Sequence, residues 1–377
     1  MSWRVPLFKI YWDEDDIQGM SKAISSGMNW AVGSEVDALE GEISRFIGSP
    51  YCLTFNSGTS ALHSALLAHG IGAGDEVIVP SFTFISTANA PIFVGARPVF
   101  GDIEERTFGL DPEDVAERIN SRTKAIIPIH YGGCPCRIRE LKELAEDHHL
   151  ILIEDAAESF GADLDGRKVG TFGDSAMLSF CQNKVITTGE GGAVVTHSEE
   201  LYGRMRMLRS HGRLETSDYF SSREILDYVA LGFNFRMSNL IATLGRSQLK
   251  KAEKIIAMRR KNAAYLNKMI GAFKEIDLPN PPAGYNHVYQ MYTISIDNRD
   301  QLMDHLARMG VMTKVYFSPV HLTSFYRDEL KYLCHLPVTE RVSNRVLTLP
   351  MYPHLSEDEM NIVVRGIEEF LELSSRG

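Results

Sequence analysis

Through the first two hundred residues, short apolar runs rich in β-branched side chains alternate with segments of helical character. Glu76 to Val79, Ala125 to His130, Leu150 to Glu154, Ala176 to Phe180 and Ala193 to Thr196 read as strands. Thr59 to His69, Pro112 to Asn120 and Ile138 to His148 read as helices. Parallel strands need a long crossover and a helix supplies it, so the alternation predicts an α/β fold with a largely parallel sheet. Ligands of such sheets collect at the carboxyl ends of the strands. Farther on, Ser238 to Phe273 reads as one long helical stretch, rich in Lys, Arg, Ala and Leu, that leaves the first domain and crosses to the next. A strand at Tyr289 to Ile296, a helix from Gln301 to Met309 stopped by Gly310, and a strand at Val311 to Phe317 follow. Ser356-Glu357-Asp358-Glu359 has the form of a capping box opening a final helix. The expected division is a large domain over residues 1–250, with its N-terminal segment, and a small C-terminal α+β domain over 251–377.

Composition removes several classes of function. With 44% hydrophobic and 23% charged residues, the chain is not a disordered or low-complexity protein. A formal net charge of −10 argues against a nucleic-acid partner, which asks for a basic face. An anionic small substrate needs only a local basic pocket. Five cysteines without regular spacing suggest a reducing compartment. Cys134-Pro135-Cys136 is too close for a Cys-x-x-Cys metal pair and has no matching second pair, so no metal is expected there. Met1 to Pro6 shows no apolar signal-peptide core, and no run approaches the ~20 apolar residues of a membrane span. These features predict a cytoplasmic protein with no membrane partner.

Two residues carry the chemistry. Lys184 sits between apolar and small residues, with the glycine-rich turn Thr187 to Gly192 behind it. A lysine is ordinarily a solvated surface charge. This setting can instead desolvate the amine and make it a nucleophile towards carbonyls. Upstream, Leu150 to Asp155 reads as a buried strand ending in an acid. A strand-end Asp followed at some distance by a Schiff-base Lys is the pairing that a pyridoxal phosphate (PLP) site needs, the Asp keeping the pyridinium nitrogen protonated and the Lys carrying the aldehyde.

Other segments have a functional and a plain reading. Asn56 to Leu62 opens a helix whose free N–H groups could seat a phosphate, or Ser57 or Thr59 could simply cap it. Pro80 to Ala90 places Phe82 and Phe84 after a strand, where an aromatic can stack on a planar ring; at least one of the two belongs to the core. Glu154, Asp155 and Glu158 could be the acids of a helix start, although that accounts poorly for an acid ending an apolar strand. Asn234 and Arg236, in Gly232 to Asn239, could reach an anion or only cap and turn. Gly70 to Asp75 is not a dinucleotide fingerprint, because it follows a helix and precedes a strand.

Taken together, these motifs resemble the DegT-type, PLP-dependent sugar aminotransferases of fold type I, nearly end to end. The resemblance rests on Ser57 to Leu62, Glu154 to Glu158, Thr187 to Gly192 and Gly232 to Asn239, in family order. It implies that Lys184 forms the Schiff base and shuttles the proton, and that Asp155 pairs with the pyridine nitrogen. It implies that Phe84 stacks on the ring and that Gly58, Thr59 and Ser179 bind the phosphate. Asn234 would reach that phosphate from a partner subunit, giving a homodimer with shared active sites. Glu158 would sit over the cofactor near its oxygen or the sugar. With Phe84 and Gln182-Asn183, it is similar to the GDP-perosamine synthase branch. The implied substrates are L-glutamate and a nucleotide-linked 4-keto-6-deoxy sugar, with Arg209, Arg236, Lys314, Tyr316 and His321 as candidate contacts. Thr313-Lys314 in place of Thr-Arg, and Cys181 in place of an aromatic or His, depart from the common pattern on the substrate side. A sugar 3-dehydratase or 3-aminotransferase of the same family, a non-catalytic regulator and a nicotinamide oxidoreductase are the alternatives. An intact Lys184, the absence of an added DNA-binding segment and the missing fingerprint count, in turn, against the dehydratase, the regulator and the oxidoreductase.

Overall fold

The structure, a computed structural model, describes residues 3–213, 223 and 227–374. The chain opens with helices α1 (Glu14–Ser25) and α2 (Ser34–Ile47), followed by strand β1 (Tyr51–Phe55) and α3 (Gly58–Ala68). Next come β2 (Glu76–Pro80), α4 (Ile85–Phe93), β3 (Arg97–Gly101), α5 (Pro112–Arg118), β4 (Thr123–Ile126), α6 (Ile138–Asp147) and β5 (Ile151–Asp155). The small hairpin β6 (Asp163–Leu164) and β7 (Arg167–Lys168) precedes β8 (Ser175–Ser179), β9 (Gly192–Thr196) and α7 (Glu199–Arg209). Then follow α8 (Asn239–Leu249), α9 (Ala252–Ile270), β10 (Tyr285–Asn286), β11 (Tyr292–Ser295), α10 (Arg299–Arg308), α11 (Pro337–Arg345), β12 (Val346–Leu349) and α12 (Glu357–Ser374).

Seven strands form the main sheet in the order β1-β9-β8-β5-β4-β2-β3. Every pair is parallel except β1–β9 and β8–β9, so β9 alone runs against the rest. Successive side chains of a strand face opposite sides, and the core divides accordingly. Val77, Val79, Ala125, Ile153, Met177 and Val194 pack with Leu62 and Leu66 of α3. The alternate residues Ala176, Leu178, Ala193 and Val195 pack with Leu39, Ile43 and Ala242 of α2 and α8, and Ile78, Ile126 and Leu152 with Leu141 of α6. Helices on both faces leave only the strand ends open. The carboxyl ends of β1, β2, β5 and β8 and the start of β9 therefore lie along one edge.

Three expectations need correction. The stretch from Ser238 to Phe273 is two helices, broken at Lys250 and Lys251. At this break the Lys251 amine pairs with Asp13 and Asp16 at the start of α1, the latter at 2.8 Å. The second helix does cross between cores, with Ala252 and Ile255 in one cluster and Leu266 and Ile270 in another. Val311 to Phe317 forms no strand. Val311 bridges to Val5 and Lys314 to Thr348, so its backbone is divided between two neighbours and no ladder runs along it. Finally, β4 ends at Ile126, and Ile127 to His130 continue as irregular backbone with one bridge from Ile129 to Asp155.

The C-terminal cluster joins α9, β11, α10, β12 and α12 and also takes in Val5. Val320, Tyr326 and Leu336 pack on the α3 side of the main sheet. We propose residue 250, just ahead of α9, as the division between a large and a small domain, with the N-terminal segment around Val5 resting on the small one. The capping box forms as expected: Ser356 Oγ accepts from the Glu359 N–H at 3.2 Å, and a Glu359 carboxylate oxygen accepts from the Ser356 N–H at 2.9 Å. Among the described residues, no helix is long and apolar enough to cross a membrane.

Candidate active site

Asp155 closes β5 and is 6% exposed. Its carboxylate accepts from the Thr87 hydroxyl at 2.7 Å and from the Ala157 N–H at 3.1 Å. Burial pushes its pKa above the usual carboxylate value, against the pull of Thr87, the Ala157 N–H and the nearby Lys184 charge. The Ala157 bond is a local Asx turn, so the capping reading is partly right, but no helix follows.

The neighbouring Glu154 points into the interior with 0% exposure. It accepts from the N–H groups of Gly170, Phe172 and Gly173 at 2.7, 2.7 and 2.8 Å, and from His130 Nε2 at 3.0 Å. His130 Nδ1 accepts from the Cys136 N–H, which leaves Nε2 as the donor. Burial works to raise the Glu154 pKa, but the bonds from His130, Gly170 and Gly173 outweigh it and hold the group below its usual value. A depressed folded pKa contributes stability above the unfolded value and loses it as the pH falls through the folded one. Glu154→Gln is therefore expected to lower stability at pH 7 by roughly 3 kcal/mol, because an amide cannot receive four donors. The gap between variant and wild type should narrow on acidification below pH ~4. Urea unfolding at both pH values measures this, and equal stability at pH 7 would contradict the account.

Lys184 lies in a turn after β8, its N–H donating to the Cys181 carbonyl at 3.0 Å. Its amine is 3.6 Å from Glu158 Oε1, with the two side chains 13% and 12% exposed. The other Glu158 oxygen accepts from the Gly132 N–H at 2.9 Å. Burial raises the Glu158 pKa, with Lys184 the largest opposing influence and the Gly132 N–H next. An amine, the buried Asp155 and the part-buried Glu158 thus converge at the sheet edge.

The start of α3 faces the same edge. Ser57 does cap this helix, accepting from the Ser60 N–H at 3.1 Å, and the N–H groups of Gly58 and Thr59 remain at the open helix end. A Cβ on Gly58 would lie 3.1 Å from Met177 Sδ and 3.2 Å from Ser179 Cβ, a tight fit that a larger residue would meet only by displacing these neighbours, so glycine suits a helix start this close to β8. The Thr59 hydroxyl bonds that of Ser86 at 2.9 Å. Of the two phenylalanines after β2, Phe82 is the core residue, stacked on Tyr131 with centroids 5.1 Å apart, while Phe84 is 59% exposed.

Two candidate substrate contacts are corrected. Arg209 is buried and engaged by Glu40 and by the Thr54 carbonyl at 2.9 Å, beneath β1 and away from solvent. His321 is 1% exposed and held by Ser81 Oγ at 2.6 Å and Glu340 at 3.4 Å. Both serve packing. Lys314 is exposed over the Tyr316 ring, 4.8 Å from its centroid. Burial raises the Tyr316 pKa, and Glu158 adds to the rise while a bond to the Asn183 side chain opposes it. Arg236 is half-buried and Asn234 exposed. Thr87, Ser86 and Gly132 were missed from sequence. Thr87 and Ser86 lie in the segment singled out for its phenylalanines, and their hydroxyls were the available signal.

Helix N–H groups and hydroxyls suit a phosphate, a buried acid suits a ring nitrogen, and an amine suits an aldehyde. The donors at this edge therefore fit PLP, and the whole is the architecture of a fold type I PLP-dependent transferase. The DegT/DnrJ/EryC1/StrS aminotransferase family model matches residues 11–368, and the chain belongs to this family. It is thereby an enzyme, a PLP-dependent sugar aminotransferase. It is 36% identical to a GDP-perosamine synthase of Escherichia coli, with 90% of each chain covered. It is also 36% identical to a UDP-N-acetyl-3-dehydro-alpha-D-glucosamine 3-aminotransferase of Acidithiobacillus ferrooxidans, covering 95% of this chain and 94% of that one. A DegT/DnrJ/EryC1/StrS aminotransferase structure from Brucella abortus superposes with a TM-score of 0.87 at 31% identity, covering 94% of this chain and 95% of that one.

Proposed function

We propose that the enzyme moves the amino group of L-glutamate to C4 of a nucleotide-linked 4-keto-6-deoxy sugar, GDP-linked in the first instance, for surface polysaccharide or another glycoconjugate. The observation that carries the amino transfer is the Lys184 amine 3.6 Å from Glu158 and within electrostatic reach of the buried Asp155. The similarity to GDP-perosamine synthase supports the sugar. The equal identity to the UDP-linked 3-aminotransferase makes a 3-keto substrate the second reading.

When bound, PLP supplies the electron sink that stabilises a carbanion at the amino-acid Cα. Asp155 holds a proton on the ring nitrogen. Lys184 would hold the aldehyde carbon, and its free amine would carry the proton between the donor Cα and the cofactor C4′. Gly58, Thr59 and Ser179 bind the phosphate and Phe84 covers the ring. Glu158, with Tyr316, Lys314 and Arg236, faces the sugar nucleotide. The test is a panel of GDP-, UDP- and dTDP-linked keto sugars with glutamate, read as 2-oxoglutarate formed. The proposal expects the GDP-linked 4-keto sugar to be turned over fastest. Preference for a 3-keto sugar would replace it with the second reading.

The active unit in this reading is a homodimer whose sites each receive Asn234 from the partner. Mixing Lys184→Ala and Asn234→Ala subunits under exchange should restore activity to about half of wild type per heterodimer, since one site carries both lesions and the other neither. No recovery would place Asn234 in its own subunit's site.

A further inference from the structure

The segment after β2 touches the Asp155 carboxylate from behind. Thr87, 1% exposed, donates its hydroxyl to Asp155 Oδ2 at 2.7 Å. Thr83, 3% exposed, lies 2.8 Å from the Thr87 oxygen through its own hydroxyl. A hydroxyl has one hydrogen to give, and a carboxylate oxygen can only accept. The Thr87 hydrogen is spent on Asp155, so Thr83 must be the donor to Thr87. The order is fixed: Thr83 to Thr87 to Asp155. Such chains polarise each other inside a protein, and the last bond, made to a charged acceptor, is the strongest.

We propose that Thr87, backed by Thr83, is a positioning residue that keeps Asp155 ionised and aimed, and so sets the protonation of the cofactor ring nitrogen. This rests on the reading above, in which Asp155 faces that nitrogen. The need for such a device is plain in the surroundings. Burial drives the Asp155 carboxyl towards its neutral form, and the charges in reach are Lys184 and Glu158. On the reading above, Lys184 changes its bonding and charge during turnover, and Glu158 repels a second negative charge. The hydroxyl chain and the Ala157 N–H are the fixed donors that remain throughout. The same segment bonds Thr59 through Ser86 and exposes Phe84, so one short stretch of backbone ties the phosphate seat, the ring face and the acid into one register.

The test uses holoenzyme loaded with PLP labelled with 15N in the ring, observed by NMR, together with PLP affinity and turnover. Thr87→Val keeps the shape and removes the donor. Its ring-nitrogen signal should move towards that of the neutral ring, PLP should bind roughly tenfold more weakly, and kcat should fall tenfold to about a hundredfold with KM for the keto sugar unchanged. Thr87→Ser should restore all three. Thr83→Val should shift the signal in the same direction by less, which also serves if Thr87→Val does not fold. Asp155→Asn is the control. If it moves the signal while Thr87→Val and Thr83→Val leave it at the wild-type position, this proposal fails and the role of Asp155 stands. A signal unmoved in Asp155→Asn overturns both.

Discussion

Lys184→Ala is expected to take up PLP and yet lose at least about a thousandfold in turnover. On the proposed reading the variant removes both the covalent anchor and the group that moves the proton, and a positioned acid–base residue alone contributes a hundredfold to ten-thousandfold. Retention of the cofactor follows from what remains: the open start of α3, the Thr59 hydroxyl and the buried Asp155, none of which depends on Lys184 for its place. Glu158 would lose the Lys184 cation and relax towards the protonated form, since burial already raises its pKa. Wild-type turnover in this variant would remove Lys184 from the chemistry. Equally, a complete loss of PLP binding would show that the phosphate seat and the acid do not hold the cofactor by themselves.

Asp155→Asn should keep the fold and lose activity by roughly a hundredfold or more, the size expected when a preorganised charge opposite a developing one is neutralised. The amide oxygen can still accept from the Ala157 N–H, and the amide NH2 in place of the other oxygen can donate to the Thr87 hydroxyl, which accepts as well as donates, so the turn after β5 and the link to α4 survive. What an amide cannot do is hold a proton on a ring nitrogen. This separates the two readings of the residue cleanly. Were Asp155 there only to shape the turn, Asn would serve about as well and the kinetics would stay near wild type. Thermal unfolding of the apoprotein measured beside kcat makes the distinction: little change in the first with a large loss in the second is the expected pair.

How far the sequence led can be judged from particular residues. Lys184 and Asp155 were legible because each breaks a local rule, a lysine among apolar residues and an acid at the end of a buried strand, and such breaks mark functional sites. The central strands were legible because both their faces are covered, which makes them continuous apolar runs. The β3 strand was not read at all. It contains Pro98 and ends in Gly101, which argue against a strand, yet it lies at the sheet edge, where proline is tolerated. The break at Lys250 and Lys251 was hidden because lysine favours helix; the tertiary pairing of Lys251 with Asp13 and Asp16 at that point is not readable from the local sequence. Arg209 and His321 were misplaced for a related reason. Residue type suggests an anion contact, but Glu40 and Ser81, distant in sequence, bury them as structural groups. Thr87 was overlooked because a threonine at a helix start is ordinary until its partner is known.

The central claim, that Lys184 carries PLP, is tested most directly by borohydride reduction of the yellow holoenzyme followed by peptide mapping. The account predicts a phosphopyridoxyl group fixed on the peptide containing Ser179 to Gly189, at Lys184. A labelled peptide that excludes Lys184 would contradict it.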